Sequence, residues 1–278
     1  MKIELNLNWS PRFGEEFLAE KAQIAERAGL ERVWAGELDL FLSPIEVARV
    51  VEEYTSLGCG VIVTPKPEVK EIARKYDICL IPGGKGREYI GGVVKYIRKL
   101  KGRVVYAGCS GRIAARRAFE AFKDSGIEPR LMPNYVKREF VDWVCCNLEW
   151  EEVLPIGPSL ILPSKMIDEL VIAAMLVMTS NENFVRAFGF SEVYRDISSL
   201  DVREMIANSK LERNEVVEKY EKFLLENFTI SGKVEEVVKK LKELSVFGGF
   251  VLGDPFFRDE SSMEKLRLIN AKLNKDGQ

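Results

Sequence analysis

The segment that constrains the fold most is residues 30–65, which reads as a strand, a helix and a second strand. Residues 33–35 form a short apolar run, and residues 59–63 form a second, β-prone run. Between them, residues 43–46 have the spacing of a capping box with proline at the first helical position. Two strands joined by a helix within about 30 residues form a βαβ unit, so we expect the strands to be parallel.

The same alternation of strand and helix continues along the chain and predicts eight short strands in all. Strand eight, at residues 249–252, follows a mostly helical stretch from residue 164 to about 227. Eight such units in about 250 residues predict an α/β fold of the (β/α)8 TIM-barrel type, with a helical insertion before strand eight. A doubly wound sheet is the alternative. No composition break or linker indicates a second domain, so we expect one domain over residues 1–278.

Strand one, residues 2–9, alternates apolar and polar side chains. Its apolar face carries Ile3, Leu5, Leu7 and Trp9, and its polar face carries Glu4, Asn6 and Asn8. In a parallel barrel the outward face meets the surrounding helices and must be apolar. The polar set is therefore expected to point into the barrel.

Composition excludes several classes of function. Histidine is absent, which rules out histidine triads, histidine metal sites and histidine acid–base chemistry. The net charge of −2 gives no reason to expect nucleic-acid binding. The five cysteines are odd in number and show no CxxC spacing, so we expect buried free thiols rather than disulfides or a zinc site. The longest apolar run, residues 170–178, is too short to span a bilayer, and residues 1–2 lead directly into a strand without a signal peptide, so we expect a cytoplasmic protein.

Ligands of parallel sheets bind beyond the carboxyl ends of the strands. The candidate residues there are Glu37, Asp39, Thr64 and the stretches 83–86, 108–112 and 253–254. Residues 108–112, Gly-Cys-Ser-Gly-Arg before a helix, offer backbone N–H groups, a hydroxyl and a guanidinium to an anion. An ordinary tight turn with a solvated arginine is the alternative, and residues 83–86 are either a second anion nest or a simple turn.

The helix predicted over residues 167–178 has too little polar surface for an exposed helix. It is either a core helix or part of an oligomer interface. We favour the interface, because a helix outside a barrel already has one face covered by the strands.

Short motifs recur along most of the chain: WAGE at residues 34–37, the helix ending at Thr55, Val63-Thr64, VYAGCSG at 105–111, FTISG at 228–232 and GGFVLGDP at 248–255. Together they resemble the luciferase-like TIM-barrel superfamily, which includes flavin monooxygenases and coenzyme F420-dependent oxidoreductases. Within it the chain is most similar to methylenetetrahydromethanopterin reductases of methanogenic one-carbon metabolism in archaea.

The resemblance implies a cofactor site for coenzyme F420, with FMN as the alternative. In the family a non-prolyl cis peptide backs the ring, and it corresponds to about Gly60-Val61. The implied cofactor-binding residues are Asn6, Gly60, Val61, Thr64, Gly108, Cys109, Ser110, Gly111 and Arg112. The implied catalytic carboxyls are Glu4, the nearest one to the family's strand-one carboxylate, and Glu37. Leu38 departs from the family, which often has histidine there, and an ungapped alignment puts Asn6 at the strand-one position.

Three hypotheses for function follow. The first is a coenzyme F420-dependent reductase that transfers hydride to a C1-carrying tetrahydropterin, a small-molecule substrate. The second is an FMN-dependent luciferase-like oxidoreductase. The third is a non-catalytic homologue that binds a cofactor or partner subunit, for which Leu38 is the main support. In each case we expect a homodimer or higher homo-oligomer and no bound metal.

Overall fold

The computed structural model describes residues 1–8, 14–37, 43–66, 68–81, 94–95, 98 and 103–275. In these residues the strands are β1 Lys2–Asn6, β2 Arg32–Gly36, β3 Gly58–Val63, β4 Asp77–Leu80, β5 Val105–Cys109, β6 Arg130–Pro133, β7 Glu152–Val153, β8 Ile156–Ile161, β9 Ile230–Gly232 and β10 Gly249–Gly253. They form a single sheet in the order β7-β6-β5-β4-β3-β2-β1-β10-β8-β9. Every pairing between these strands is parallel, as the βαβ pattern predicts.

The sheet curls so that its two ends approach each other. β7 and β8 are consecutive in the chain and are separated only by Leu154 and Pro155. β7 pairs with β6, whereas β8 pairs with β10. A parallel bridge between Val153 and Gly248 then joins β7 to the residue before β10. The result is a TIM-like architecture built on a curled parallel sheet.

Helices connect the strands. The described α-helices are α1 Glu15–Arg27, α2 Pro44–Tyr54, α3 Val69–Ala73, α4 Arg112–Asp124, α5 Arg138–Cys145, α6 Ile167–Thr179, α7 Glu182–Ala187, α8 Ser191–Ile197, α9 Val202–Asn208, α10 Glu215–Phe228, α11 Val234–Glu243 and α12 Glu260–Asn274. Five of them, α6 to α10, lie between β8 and β9. None of the helices in the described part of the chain is long and apolar enough to cross a membrane.

The capping box predicted at the start of α2 is present. The Ser43 hydroxyl accepts a hydrogen bond from the Ile45 N–H, and the Glu46 carboxylate accepts one from the Ser43 N–H at 3.0 Å. These bonds satisfy N–H groups that have no partner within the helix, and Pro44 needs none. The helix therefore begins where the sequence predicts.

The alternation of β1 separates two environments, and the predicted orientation is confirmed. Ile3, Leu5 and Leu7 are buried in the hydrophobic cluster formed with the surrounding helices. On the other face, Glu4 and Asn6 are buried inside the sheet. The interior beside Glu4 is filled by a cluster of buried side chains: Trp34, Cys79, Tyr106, Met132, Leu154 and Val251.

Helix α6 is a core helix, so the preference for an oligomer interface was wrong. Leu170, Ile172 and Met175 are buried, and the helix packs against β8, α9 and α10. The helices that follow it cover its second face, and the sequence pattern of α6 alone could not show this. Its apolar composition is explained by burial within this chain.

Several predicted boundaries differ from the structure. The sequence pattern predicts a strand at residues 127–132, whereas β6 covers Arg130–Pro133. It also predicts a helix over residues 135–150, whereas α5 covers only Arg138–Cys145. The short strands β7 and β9 were not predicted. Trp9 and residues 83–86 lie outside the described residues, as do Leu38 and Asp39.

Candidate functional site

A cavity of about 700 Å³ opens at the carboxyl ends of the strands. Its floor includes Ile62, Met132 and Ile156, and α6 contributes an apolar wall that includes Ile172 and Leu176. Cavities of about 300–1,000 Å³ with mostly apolar walls and a few polar groups are typical of small-molecule sites. The position is the one where parallel α/β sheets bind their ligands.

One wall of the cavity carries a row of hydrogen-bond acceptors on three adjacent strands, which we term the acceptor wall: Asp254, Asn6, Asn8 and Glu37. Asn6 ends β1 and Asn8 follows it, and β1 pairs with β2 on one side and with β10 on the other. Glu37 follows β2, and Asp254 follows β10. The polar face of strand one, which the sequence predicts to point inward, thus contributes to the cavity.

Asn6 stands out within the acceptor wall. Its side chain is only 6% exposed, and its Oδ1 has no hydrogen-bond partner among the described residues. By contrast, Asn8 Oδ1 accepts a hydrogen bond from the Gly36 N–H at 3.1 Å. Leaving a buried acceptor unpaired costs about 1–3 kcal/mol. A ligand N–H or O–H in the cavity would remove that cost.

Glu37 is held by two donors at the mouth of the cavity. Its carboxylate accepts hydrogen bonds from the Thr64 N–H and from Lys66 Nζ, both at 2.8 Å. Burial by itself would raise the pKa of Glu37, but the bonds from Lys66 and Thr64 outweigh it and bring the pKa below its usual value. Glu37 is therefore an ionised acceptor near neutral pH. Thr64, a predicted cofactor residue, acts here through its backbone N–H.

Asp254 is fixed by an arginine that the sequence analysis missed. Arg258 Nε donates to Asp254 Oδ1 at 2.7 Å, and Arg258 Nη2 donates to Oδ2 at 2.6 Å. The same guanidinium pairs with Glu169 on α6. Burial would lower the pKa of Arg258, but the two carboxylates outweigh it and raise the pKa above its usual value. The sequence did offer a signal for the Asp254–Arg258 pair, because the two residues lie four positions apart. It offered no signal that Glu169 would join them.

The loop at residues 108–112 contributes only in part to the cavity. Gly108, Cys109 and Ser110 line it, whereas Gly111 and Arg112 are not among the lining residues. The Arg112 guanidinium lies 5.9 Å from the Trp143 ring centre, and its Nε lies 3.4 Å from Cys146 Sγ. The predicted anion-binding arginine therefore points to α5 rather than into the cavity.

Two side chains fix this loop from outside. Tyr135 donates its hydroxyl to the Ser110 carbonyl at 2.9 Å, and Asn181 Nδ2 donates to the same oxygen at 3.0 Å. Asn181 also caps α7, because its Oδ1 accepts from the Phe184 N–H. A Cβ at Gly111 would lie 2.0 Å from Asn181 Nδ2, so any larger residue there would displace the Asn181 amide. Asn181, at the start of α7, thus helps to hold the β5–α4 loop in place.

Gly60 and Val61 do not reach the cavity. Gly60 packs against the Trp34 ring, and Val61 belongs to the helix-facing core. The cis peptides among the described residues are Leu162-Pro163 and Asp254-Pro255, so the expectation of one at Gly60-Val61 was wrong. The Trp34 ring occupies the space beside Gly60 that the resemblance assigns to a cofactor ring.

Glu4 lies next to Trp34 in the interior of the sheet. It is fully buried, accepts a hydrogen bond from Trp34 Nε1, and pairs with Lys2 Nζ at 2.8 Å. It is not among the residues that line the cavity. The structure therefore brings Glu37 to the cavity but leaves Glu4 apart from it.

The cysteines are free thiols. Burial raises the pKa of Cys79 and Cys109, which keeps both uncharged, and raises the pKa of Cys59 to about 12. No cluster of cysteine and carboxylate side chains suited to a metal ion occurs in the described ranges of the chain.

Solved structures of other proteins share the fold of this chain. No protein-family model matches the chain, and no curated protein matches its sequence. Among solved structures, a coenzyme F420-dependent tetrahydromethanopterin reductase from Methanopyrus kandleri is similar over 100% of this chain and 99% of that chain, with a TM-score of 0.69 and 15% identity. The chain has the fold of that reductase.

A second solved structure agrees. The oxygenating constituent of 3,6-diketocamphane monooxygenase from Pseudomonas putida, a type II Baeyer-Villiger monooxygenase in complex with FMN, is similar over 98% of this chain and 97% of that chain. The TM-score is 0.57 and the identity 11%. The resemblance read from the sequence, to coenzyme F420-dependent reductases and flavin monooxygenases, is thus confirmed at the level of the fold.

Proposed function

We propose that this protein is a luciferase-like oxidoreductase that binds a flavin or deazaflavin ring in the cavity at the carboxyl ends of the strands. The observation that carries the proposal is Asn6 Oδ1, a buried acceptor without a partner among the described residues, in a cavity of about 700 Å³. A ring N–H is a suitable donor for it. The likeness to a coenzyme F420-dependent enzyme and to an enzyme in complex with FMN supports this class of ligand.

The cavity fits the ring part of such a cofactor. Met132 and Ile156 on the floor and Ile172 on α6 offer apolar surface to a flat ring and exclude water from it. Asn6 would accept a hydrogen bond from the polar edge of the ring. When bound, the ring would supply or accept a hydride, and the protein's part is orientation and exclusion of water.

At the finer level we propose coenzyme F420 as the cofactor and a C1-carrying tetrahydropterin as the substrate, with FMN as the alternative cofactor. The full-length similarity to the Methanopyrus kandleri reductase supports this choice. Glu37 would act as an ionised acceptor at the site. We further propose one domain over residues 1–278, a (β/α)8 barrel in which α6 to α10 form the helical insertion, in a cytoplasmic homo-oligomer.

A non-catalytic homologue is the second candidate, and two observations favour it. Arg112 points to Trp143 rather than into the cavity, and Trp34 occupies the space beside Gly60. A protein with these features would hold the cofactor's phosphate-bearing part less tightly. Turnover separates the two candidates.

The test is an assay with reduced coenzyme F420 and methylene-tetrahydromethanopterin, followed by the absorbance of the oxidised cofactor. The expected result is turnover that depends on both compounds. An Asn6→Leu variant, which keeps the branched shape and the number of side-chain heavy atoms but removes the acceptor, is expected to raise the KM for the cofactor about 10-fold. If the protein transfers no hydride to this or another acceptor, with either coenzyme F420 or FMN, the oxidoreductase is excluded and the non-catalytic candidate remains.

A further inference from the structure

The acceptor wall has a geometry that suits one kind of ligand edge. Register places Leu5 of β1 opposite Leu252 of β10, so Asn6 stands beside Gly253 and close to Asp254. Carboxylate and amide oxygens therefore follow one another along neighbouring strand ends. The facing wall, from α6, is mostly apolar and includes Ile172 and Val177. A flat heterocycle with its N–H groups along one edge matches both walls.

Asp254 is held so that it can still accept further hydrogen bonds. A carboxylate has about four lone-pair sites, two on each oxygen. Arg258 takes one site on each oxygen through its two-bond contact, and the remaining sites belong to a side chain that lines the cavity. A pair of parallel N–H donors, such as an amino group next to a ring N–H, fits such a carboxylate.

Asn6 supplies an independent indication of a ligand on this wall. Its Oδ1 has no partner among the described residues although the side chain is 6% exposed. Asn6 is not part of the Asp254–Arg258–Glu169 cluster, yet it lines the same cavity on the adjacent strand. The proposed function pairs Asn6 with the cofactor ring, so a bound ring is expected against this wall and Asp254, at the next strand end, is left to face the substrate.

The charge of the wall disfavours acidic groups. Among the described residues that line the cavity, Glu37, Glu169 and Asp254 are acidic and Arg258 alone is basic. Arg258 is already paired with Asp254 and Glu169. A carboxylate or phosphate placed against this wall would therefore meet like charge.

We propose that Asp254 is the specificity-determining residue for the substrate, recognising an amino group and an adjacent ring N–H on one edge of a nitrogen heterocycle, and that Arg258 is the positioning residue that aims it. The inference rests on the proposed function for the existence of a substrate in this cavity. It identifies the residue that recognises the substrate and the groups on the heterocycle that this residue recognises. An edge that presents a carbonyl in place of the amino group is rejected.

The test compares two probes that differ at that edge, 6-methylpterin and 6-methyllumazine, bound to the full chain without cofactor. The first presents an amino group and the second a carbonyl. The wild type is expected to bind 6-methylpterin about 10- to 100-fold more tightly. In Asp254→Asn the amide can donate to the carbonyl, so the ratio of the two dissociation constants is expected to fall towards 1. The matched control is Asp142→Asn, another aspartate paired with an arginine four residues away, on α5 outside the cavity.

The outcomes separate this inference from the proposed function. If Asp254 has a purely structural role, Asp254→Asn will weaken the binding of both probes equally and leave the ratio of their dissociation constants unchanged. That result overturns the inference. A wild-type ratio near 1, or no binding of either probe at millimolar concentration, overturns it as well, even if Asp254→Asn fails to fold. Binding of coenzyme F420 or FMN, measured separately, decides the proposed function whatever the pterin result.

Discussion

Gly60 offers the sharpest test of how the interior of the sheet is packed. A Cβ built at Gly60 would lie 2.5 Å from Cε3 and Cζ3 of Trp34 and 2.9 Å from Cη2. The ring has little room to move, because Trp34 Nε1 donates a hydrogen bond to buried Glu4. The ring also packs edge-on against Tyr106, with 5.6 Å between the two ring centres. Gly60→Ala is therefore expected to force a shift inside the barrel.

The size of the effect follows from the overlap. Carbon atoms pack best at about 3.5–4.0 Å, so the new methyl group would overlap the ring by about 1 Å. Overpacking of this kind costs about 1–3 kcal/mol. Gly58→Ala on the same strand is the matched control, because its Cβ would come no closer than 3.4 Å to any neighbour. At Gly58 the lower entropy of the unfolded chain is expected to leave stability unchanged or raised by about 0.4–1 kcal/mol.

Urea unfolding followed by tryptophan fluorescence and by circular dichroism measures both variants. Gly60→Ala is expected to lower the midpoint with an unchanged slope, and Gly58→Ala to leave it near the wild-type value. Equal midpoints for the two variants would refute the packing of Trp34 on Gly60. They would also reopen the space beside Gly60 for a cofactor ring.

Two further perturbations test the surroundings of the cavity. Asn181→Ala is expected to destabilise the protein by about 1 kcal/mol more than Asn214→Ala in thermal or urea unfolding, because both cap helices but only Asn181 also holds the Ser110 carbonyl. Equal losses would contradict a role for Asn181 in fixing the loop. Glu37→Gln is expected to lower the free energy of unfolding by about 1 kcal/mol at most near pH 7. Since the folded-state pKa of Glu37 is lowered, this loss should be constant above the ordinary value of 4.5 and shrink as the pH falls through the folded-state pKa. A loss that grows in acid would contradict this account.

The parts of the fold that sequence could predict depend on local rules. The alternation along β1 and the capping box at Ser43 each depend on neighbouring residues, and both are present in the structure. The acidic residue after β2 was predictable in the same way, because strand ends of parallel sheets meet at one edge. These rules located the site at the carboxyl ends of the strands.

The parts that sequence could not predict depend on side-chain direction and on distant packing. Gly108, Cys109 and Ser110 line the cavity, but whether Arg112 turns inward or towards Trp143 depends on its packing against α5. The pairing of Arg258 with Glu169 joins residues 89 positions apart, and no local pattern reports it. For the same reason the apolar composition of α6 could not distinguish a core helix from an interface.

The central claim is that the cavity binds a flavin or deazaflavin ring, and an equilibrium titration of the purified chain with coenzyme F420 and with FMN tests it most directly. We expect saturable one-to-one binding of at least one of them, weakened about 10-fold in Asn6→Leu by loss of the buried acceptor. Absence of saturable binding of both compounds up to millimolar concentration, or identical affinity in Asn6→Leu, would contradict the account.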